Sequence, residues 1–394
     1  VDGARHEAAL ARDSYAPSPE VFIAVGRFLA TAFLLLVSSA LPAQPSAIHP
    51  RPGRDWRSAA LARTTVAAAD HLIVGDAELE TYRSIGGNTL VLFDTNGVNE
   101  TGVTWNFKPP AQIEAETSFA RRNGMKIILG MAFEDFPVAS PSNAATGLLH
   151  SQTIFLHMPS RERAQSTAVA TIPAADDALM RQRLALWDRY GADLVIGAFP
   201  WDDDVFWKKI NVARQRHVYG LMKDAVPDWH VLGIIGEAAF KASPAEVAAL
   251  YDPGAFDDLL VLMYPLNVGY ELTDFPLDNI ASPDPDGDIV RYVDHYLAGL
   301  ADRFFQPLKP GQLILLVGQA FAYPDDAAGH IPRRDDVYLM MTHGIETIRA
   351  MRGQAANRFV GYFYWGADGA LLTGLWQRPD WIDAARSVHA HVYE

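Results

Sequence analysis

The sequence predicts an α/β fold, a (β/α)8 barrel of the TIM type in which strand–helix units close into a ring. Three observations predict it. Seven apolar runs of strand length alternate with amphipathic helical patterns. Within each run nearly every residue is apolar, rather than every second one. That is the pattern of strands covered on both faces, as in a parallel sheet wrapped by helices. The chain also lacks the glycine-rich phosphate-binding fingerprint that an open doubly wound sheet usually carries.

In chain order, a short helix closes at Tyr82-Arg83-Ser84-Ile85-Gly86-Gly87, and Thr89-Leu90-Val91-Leu92-Phe93-Asp94 is the first clear strand. Residues 111–122 have apolar positions at helical spacing and stop at Asn123-Gly124, a C-cap pair. Residues 125–131 form the second run, and residues 136–175 read as a long loop over one end of the barrel. A helix over residues 177–190 ends at Gly191 and feeds the third run, residues 193–201. The fourth run spans residues 229–237. It is followed by Ser243-Pro244-Ala245-Glu246, a capping box with proline at the first helical position. The remaining runs are residues 259–264, 312–319 and 359–365. A closed barrel needs eight strands, and residues 71–75 are offered as the eighth. Asp284-Pro285-Asp286-Gly287-Asp288 hints at a calcium loop. Its glycine is misplaced and His295 stands where a bidentate Glu belongs, so it reads as a solvated turn.

The 394 residues divide into a targeting segment (1–44), a Pro-, Arg- and Ala-rich linker (45–63) and one catalytic barrel domain (64–394). Gly26-Arg27, the apolar residues 28–37 and the small residues 38–44 have the order of a secretory signal. The apolar stretch is short of the about 20 residues of a membrane span. The expectation is an exported protein, periplasmic or secreted, with no stable span after cleavage and a true start at Val21 or Val25. The formal net charge of −14 argues against a nucleic-acid partner, which requires clustered cations. The absence of cysteine removes disulfides, thiolate metal sites and cysteine nucleophiles. There is no His-Glu-x-x-His or Gly-x-Ser-x-Gly motif, so neither a metal nor another cofactor is expected.

Barrels of this type gather their chemistry at the carboxyl ends of the strands. The runs end in Asp94, in Glu134-Asp135, in Trp201-Asp202-Asp203-Asp204, in Glu237, in Tyr264, in Gln319 and in Trp365. Acids, amides and aromatics in one ring suit a sugar. One carboxyl protonates the leaving oxygen, a second group stabilises charge at the anomeric carbon, and flat rings stack on the sugar face. Alternation along the third run puts Phe199, Trp201 and Asp203 on one face. Glu237, the one acid at the end of its run, also stands four residues before Lys241, the spacing of a helical ion pair.

This layout resembles barrel glycoside hydrolases of the chitinase-like kind. It carries carboxylates after one strand (Asp202, Asp203, Asp204), then Leu262-Met263-Tyr264-Pro265, then a last run Gly361-Tyr362-Phe363-Tyr364-Trp365. The resemblance implies that Asp203 stands at the proton donor, that Tyr264 steadies the reacting sugar and that Trp365 floors the site. That family keeps a glutamate among alternating acids, whereas these aspartates are consecutive, so a more distant barrel glycosidase fits better. The expected enzyme cleaves a polysaccharide or oligosaccharide. Asp203 or Asp202 is the acid and Glu237 the nucleophile or base, while Asp94, Trp201, Asp204, Tyr264, Gln319 and Trp365 hold the substrate. The alternatives are an inactive carbohydrate-binding barrel and a metal-assisted hydrolase using Asp94, Glu134 and the aspartate cluster.

Overall fold

The computed structural model describes residues 57, 66–69, 76–96, 105–131, 133, 148–149, 174–201, 204–206, 210–266, 277, 282–309, 311–322, 328–352, 359–365 and 373–393, the strands 66–69 and 359–365 as backbone alone. The chain divides into two units, Val1–Pro50 and Arg51–Glu394. All described residues belong to the second.

The second unit begins with β1 (Val66–Ala69), α1 (Asp76–Ser84), β2 (Thr89–Phe93), α2 (Pro110–Arg122) and β3 (Lys126–Gly130). It continues with α3 (Ala174–Gly191), β4 (Val195–Phe199), α4 (Val212–Ala225), β5 (His230–Ile235), α5 (Glu237–Lys241) and α6 (Pro244–Leu250). Then follow β6 (Asp258–Met263), α7 (Pro285–Leu300), β7 (Ile314–Gln319), α8 (Arg334–Arg352), β8 (Phe359–Trp365) and α9 (Pro379–Tyr393). The eight strands form one closed parallel barrel in sequence order, with β8 paired back onto β1 from Val66↔Tyr362 to Ala69↔Trp365. The eighth strand is therefore β1, upstream of residues 71–75, which lie outside the described residues. Its sequence, Val-Ala-Ala-Ala, has three residues of weak strand preference, so nothing in it stands out as a strand before pairing is seen.

The caps form as their residue chemistry dictates. Ser243 and Glu246 make the reciprocal capping box: Ser243 N–H donates to Glu246 Oε2 at 2.9 Å, and Glu246 N–H donates to Ser243 Oγ at 3.3 Å. Gly86 takes φ of +82° after α1, a conformation glycine adopts without steric cost. The acidic stretch at 284–288 is a helix start rather than a free turn. Asp284 caps α7 by accepting Gly287 N–H at 3.2 Å, and Pro285 opens the helix.

Among the described residues two apolar cores result. One contains strand residues together with helix residues and lies between the barrel and its helices. The other contains no helix residue and fills the barrel itself. Alternation separates them cleanly on β6, where Leu260 and Leu262 point inward and Leu259, Val261 and Met263 point outward. On β4 the alternation breaks. Its pairing with β3 shifts between Ile127↔Val195 and Ile128↔Gly197, so Ile196 is an extra residue, and both Ile196 and Phe199 end up inward.

Candidate active site

Eight parallel strands in a closed ring bring all their carboxyl ends to one mouth. The inner face just below it is aromatic. Phe93 and Phe199 meet edge to face at 5.6 Å between centroids, and Tyr264 meets Phe321 the same way at 5.1 Å. Tyr264 and Phe321 both belong to the inner core, and Tyr264 is 8% exposed. Phe321 was not among the predicted residues. Its signal was its place two residues beyond Gln319, and hence on the same face of an extended chain.

The acids divide into three groups. Asp202 and Asp203, with Glu134, lie outside the described residues. The backbone of Trp365 ends β8, paired with Ala69 and Gln319 on the two neighbouring strands, and its side chain is likewise outside the description.

A second group serves the fold. Asp94, expected to hold substrate, is fully buried on the helix side of β2. Arg183 from α3 grips it with Nε at 2.9 Å from Oδ2 and Nη2 at 2.5 Å from Oδ1, and Trp187 Nε1 adds a bond at 2.6 Å. Burial pushes the Asp94 carboxyl above its usual range, against the opposing pull of Arg183 and Trp187. This corrects the substrate-binding assignment: Phe93 faces the interior, so the next residue faces the helices. The same placement removes Asp94 from the metal-assisted alternative. Trp201 is also corrected. The chain bends at Pro200 and Trp201, and the indole packs into the outer core at 1% exposure instead of sharing the inward face with Phe199. Asp204 is 1% exposed and accepts from three backbone donors. Its Oδ2 takes Gly236 N–H at 2.8 Å and Ala239 N–H at 3.0 Å, and its Oδ1 takes Phe206 N–H at 2.8 Å. Gln319 is similarly engaged at the inner end of β7, accepting Leu266 N–H at 2.9 Å and donating to Phe321 O at 3.3 Å.

The third group is Glu237. It begins α5 directly beyond β5, is 5% exposed, and accepts from Lys241 Nζ at 2.5 Å. The helical ion pair implied by the spacing is therefore present. Two buried tyrosines of α7 border this region. Burial first, and then the Glu237 charge, drives Tyr292 well above the ordinary phenol range. Tyr296 is raised in the same sense by burial, then by Tyr292 and by the Asp204 and Glu237 carboxylates, and its hydroxyl donates to Leu262 O at 2.8 Å. Asp204 and Glu237 thus stand in one neighbourhood beyond the carboxyl end of β5, against tyrosines of the outer core. Among the described residues no cluster of His, Asp and Glu side chains is arranged to hold a metal ion.

No family model and no curated protein matches the chain. Among solved structures it is similar to a broad-specificity endoglucanase from Clostridum cellulovorans, at 10% identity and TM-score 0.47, with 84% of this chain and 96% of that one covered. It is similar also to the catalytic domain of a hyperthermophilic chitinase from Pyrococcus furiosus, at 11% identity and TM-score 0.43, covering 83% and 94%. A third match is a β-galactosidase from the Antarctic haloarchaeon Halorubrum lacusprofundi, at 12% identity and TM-score 0.51, covering 84% and 58%. The likeness to the β-galactosidase, at TM-score 0.51, is one of fold.

Proposed function

We propose that the barrel is a glycoside hydrolase that cleaves a polysaccharide at its carboxyl-end mouth. Asp203, or Asp202 beside it, is the general acid, and Glu237 is the nucleophile or base. The observation that supports this most is the pair of bonds from Gly236 N–H and Ala239 N–H to Asp204. They bring the end of the aspartate triplet against the turn that carries Glu237, at the end of the barrel where such enzymes keep their chemistry. An ion-paired glutamate is a hydrogen-bond acceptor, the form a nucleophile or base uses. Tyr264 and Trp365 then offer rings to the sugar. Retention or inversion follows from the separation of the two carboxyls, about 5–5.5 Å for the first and roughly 6.5–9.5 Å for the second. The same proposal has the protein exported, on the order of basic, apolar and small residues from Gly26 to Gln44.

The test is release of reducing ends from a panel of bacterial exopolysaccharides, chitin and plant glucans. Asp203→Asn and Glu237→Gln should each lower turnover by about 10²–10⁴-fold while far-ultraviolet circular dichroism stays that of the parent. Full turnover in both variants rejects these roles.

A second reading is a carbohydrate-binding barrel without catalysis. It is favoured by the engagement of Asp94, Asp204 and Gln319 in bonds within the fold, which leaves the aromatic mouth with fewer polar groups for chemistry. Glycan binding by calorimetry without new reducing ends is its signature.

A further inference from the structure

Asp204 is the last of three consecutive aspartates, yet its surroundings are unlike those of a substrate ligand. Both of its oxygens accept backbone N–H groups drawn from two segments: Phe206 in its own turn, and Gly236 and Ala239 beyond β5. A neighbouring backbone bond, Val205 N–H to Ile234 O at 3.2 Å, ties the same two segments. Gly236 occupies the cap position of α5 and has no side chain with which to cap it. Asp204 supplies from another strand the acceptor that a local Ser or Asp would supply. Glycine also keeps the approach open, since a Cβ on Gly236 would stand 3.3 Å from Asp204 Oδ2 and 3.4 Å from Leu262 Cβ. A carboxylate suits the task because it is acceptor-only and serves several N–H donors at once.

We propose that Asp204 is a positioning residue. Its carboxylate joins the turn Asp204–Phe206 to the Gly236–Ala239 turn that bears Glu237, so that the two move as one body. This rests on the hydrolytic reading above for its consequence, but not for the coupling itself. Asp204 is one residue from Asp203 in the chain, and its partner Gly236 is one residue from Glu237. A shift of either turn therefore alters the spacing between the two proposed reacting carboxyls, and misplacement of about 1 Å costs on the order of 10²-fold in rate.

The control is Asp258, another aspartate at 1% exposure. It accepts Leu313 N–H at 2.7 Å and pairs with His230 at 2.5 Å, and it lies at the start of β6, the opposite end of the barrel. Asp204→Asn and Asp258→Asn are compared in the full chain by thermal midpoint, by amide exchange over residues 195–206 and 234–241, and by kinetics on a glycan the parent cleaves. Both variants should lose midpoint. Only Asp204→Asn should speed exchange in the two segments together, and only it should lower kcat about 10²-fold with KM held within about threefold. Exchange rising in one segment alone, or an equal fall of kcat in Asp258→Asn, overturns the proposal. If Asp204→Asn does not fold, Gly236→Ala presses on the same contact with the carboxylate retained, and the joint rise in exchange is expected there in smaller degree. Its absence overturns the coupling. If the parent cleaves none of the glycans, the hydrolytic reading falls by itself and the exchange result still decides the coupling.

Discussion

Asp94 shows what a single position can hide. Its run, Thr89 to Asp94, is apolar on both faces, so alternation along the strand leaves no mark in the sequence from which the direction of the final carboxylate is readable. Packing decides it. Phe93 enters the barrel, and Asp94 turns to Arg183 and Trp187 of α3. Truncating the arginine strands a fully buried carboxylate, and breaking a buried pair in this way costs about 3–5 kcal/mol. Arg183→Ala should lose stability of that order in urea denaturation, and the double variant Arg183→Ala/Asp94→Ala should recover much of it. A double variant as unstable as the single one counts against the assignment. Glu237 is the contrasting case. Its pairing with Lys241 follows from helical spacing alone and is present.

At the scale of elements, the helices were legible and the strand ends were not. Caps are local: Ser243 with Glu246 and the glycines after α1 and α2 act within a few residues of themselves, whereas Asp284-Pro285, read from the sequence as a solvated turn, caps α7. The inward face of a strand depends on register with its neighbour. The extra residue at Ile196 and the bend after Phe199 moved Trp201 out of the site and into the outer core. Gly130, at the end of β3, marks the same junction. A Cβ there would fall 2.6 Å from the Phe93 ring and 2.7 Å from the Phe199 ring. These are ring bodies held in a packed core, so the added methyl is overpacking of the kind that costs about 1–3 kcal/mol. Gly130→Ala should lower the urea midpoint accordingly, and a stability equal to the parent's means that the two rings move apart freely.

For the molecule as a whole, closure is the decisive feature. β1 pairs with β8 over four residue pairs and with β2 at Ala69↔Val91, and it is the strand that leaves the ring without edges. Arg57 adds to this end of the chain, its Nε bonding Val195 O at 2.9 Å and its Nη2 bonding Ala192 O at 2.6 Å. A chain beginning at Arg51 keeps both features and should unfold in one cooperative thermal transition. A chain beginning at His71 lacks both and exposes β2 and β8 as edges. It should elute as aggregate in size exclusion and lose the cooperative transition. Cooperative folding of the shorter chain removes β1 from its closing role.

The sequence by itself determined the kind of barrel, its helices, their caps and the order in which chemical side chains arrive at the strand ends. Those properties follow from hydrophobic periodicity and from residue types whose effects reach only a turn away. Tertiary structure decided which strand completes the ring, which side of each strand faces the hollow, and which acids are spent on the fold. Each of these depends on register between segments far apart in the chain, and a register shift of one residue exchanges inside for outside without changing a letter.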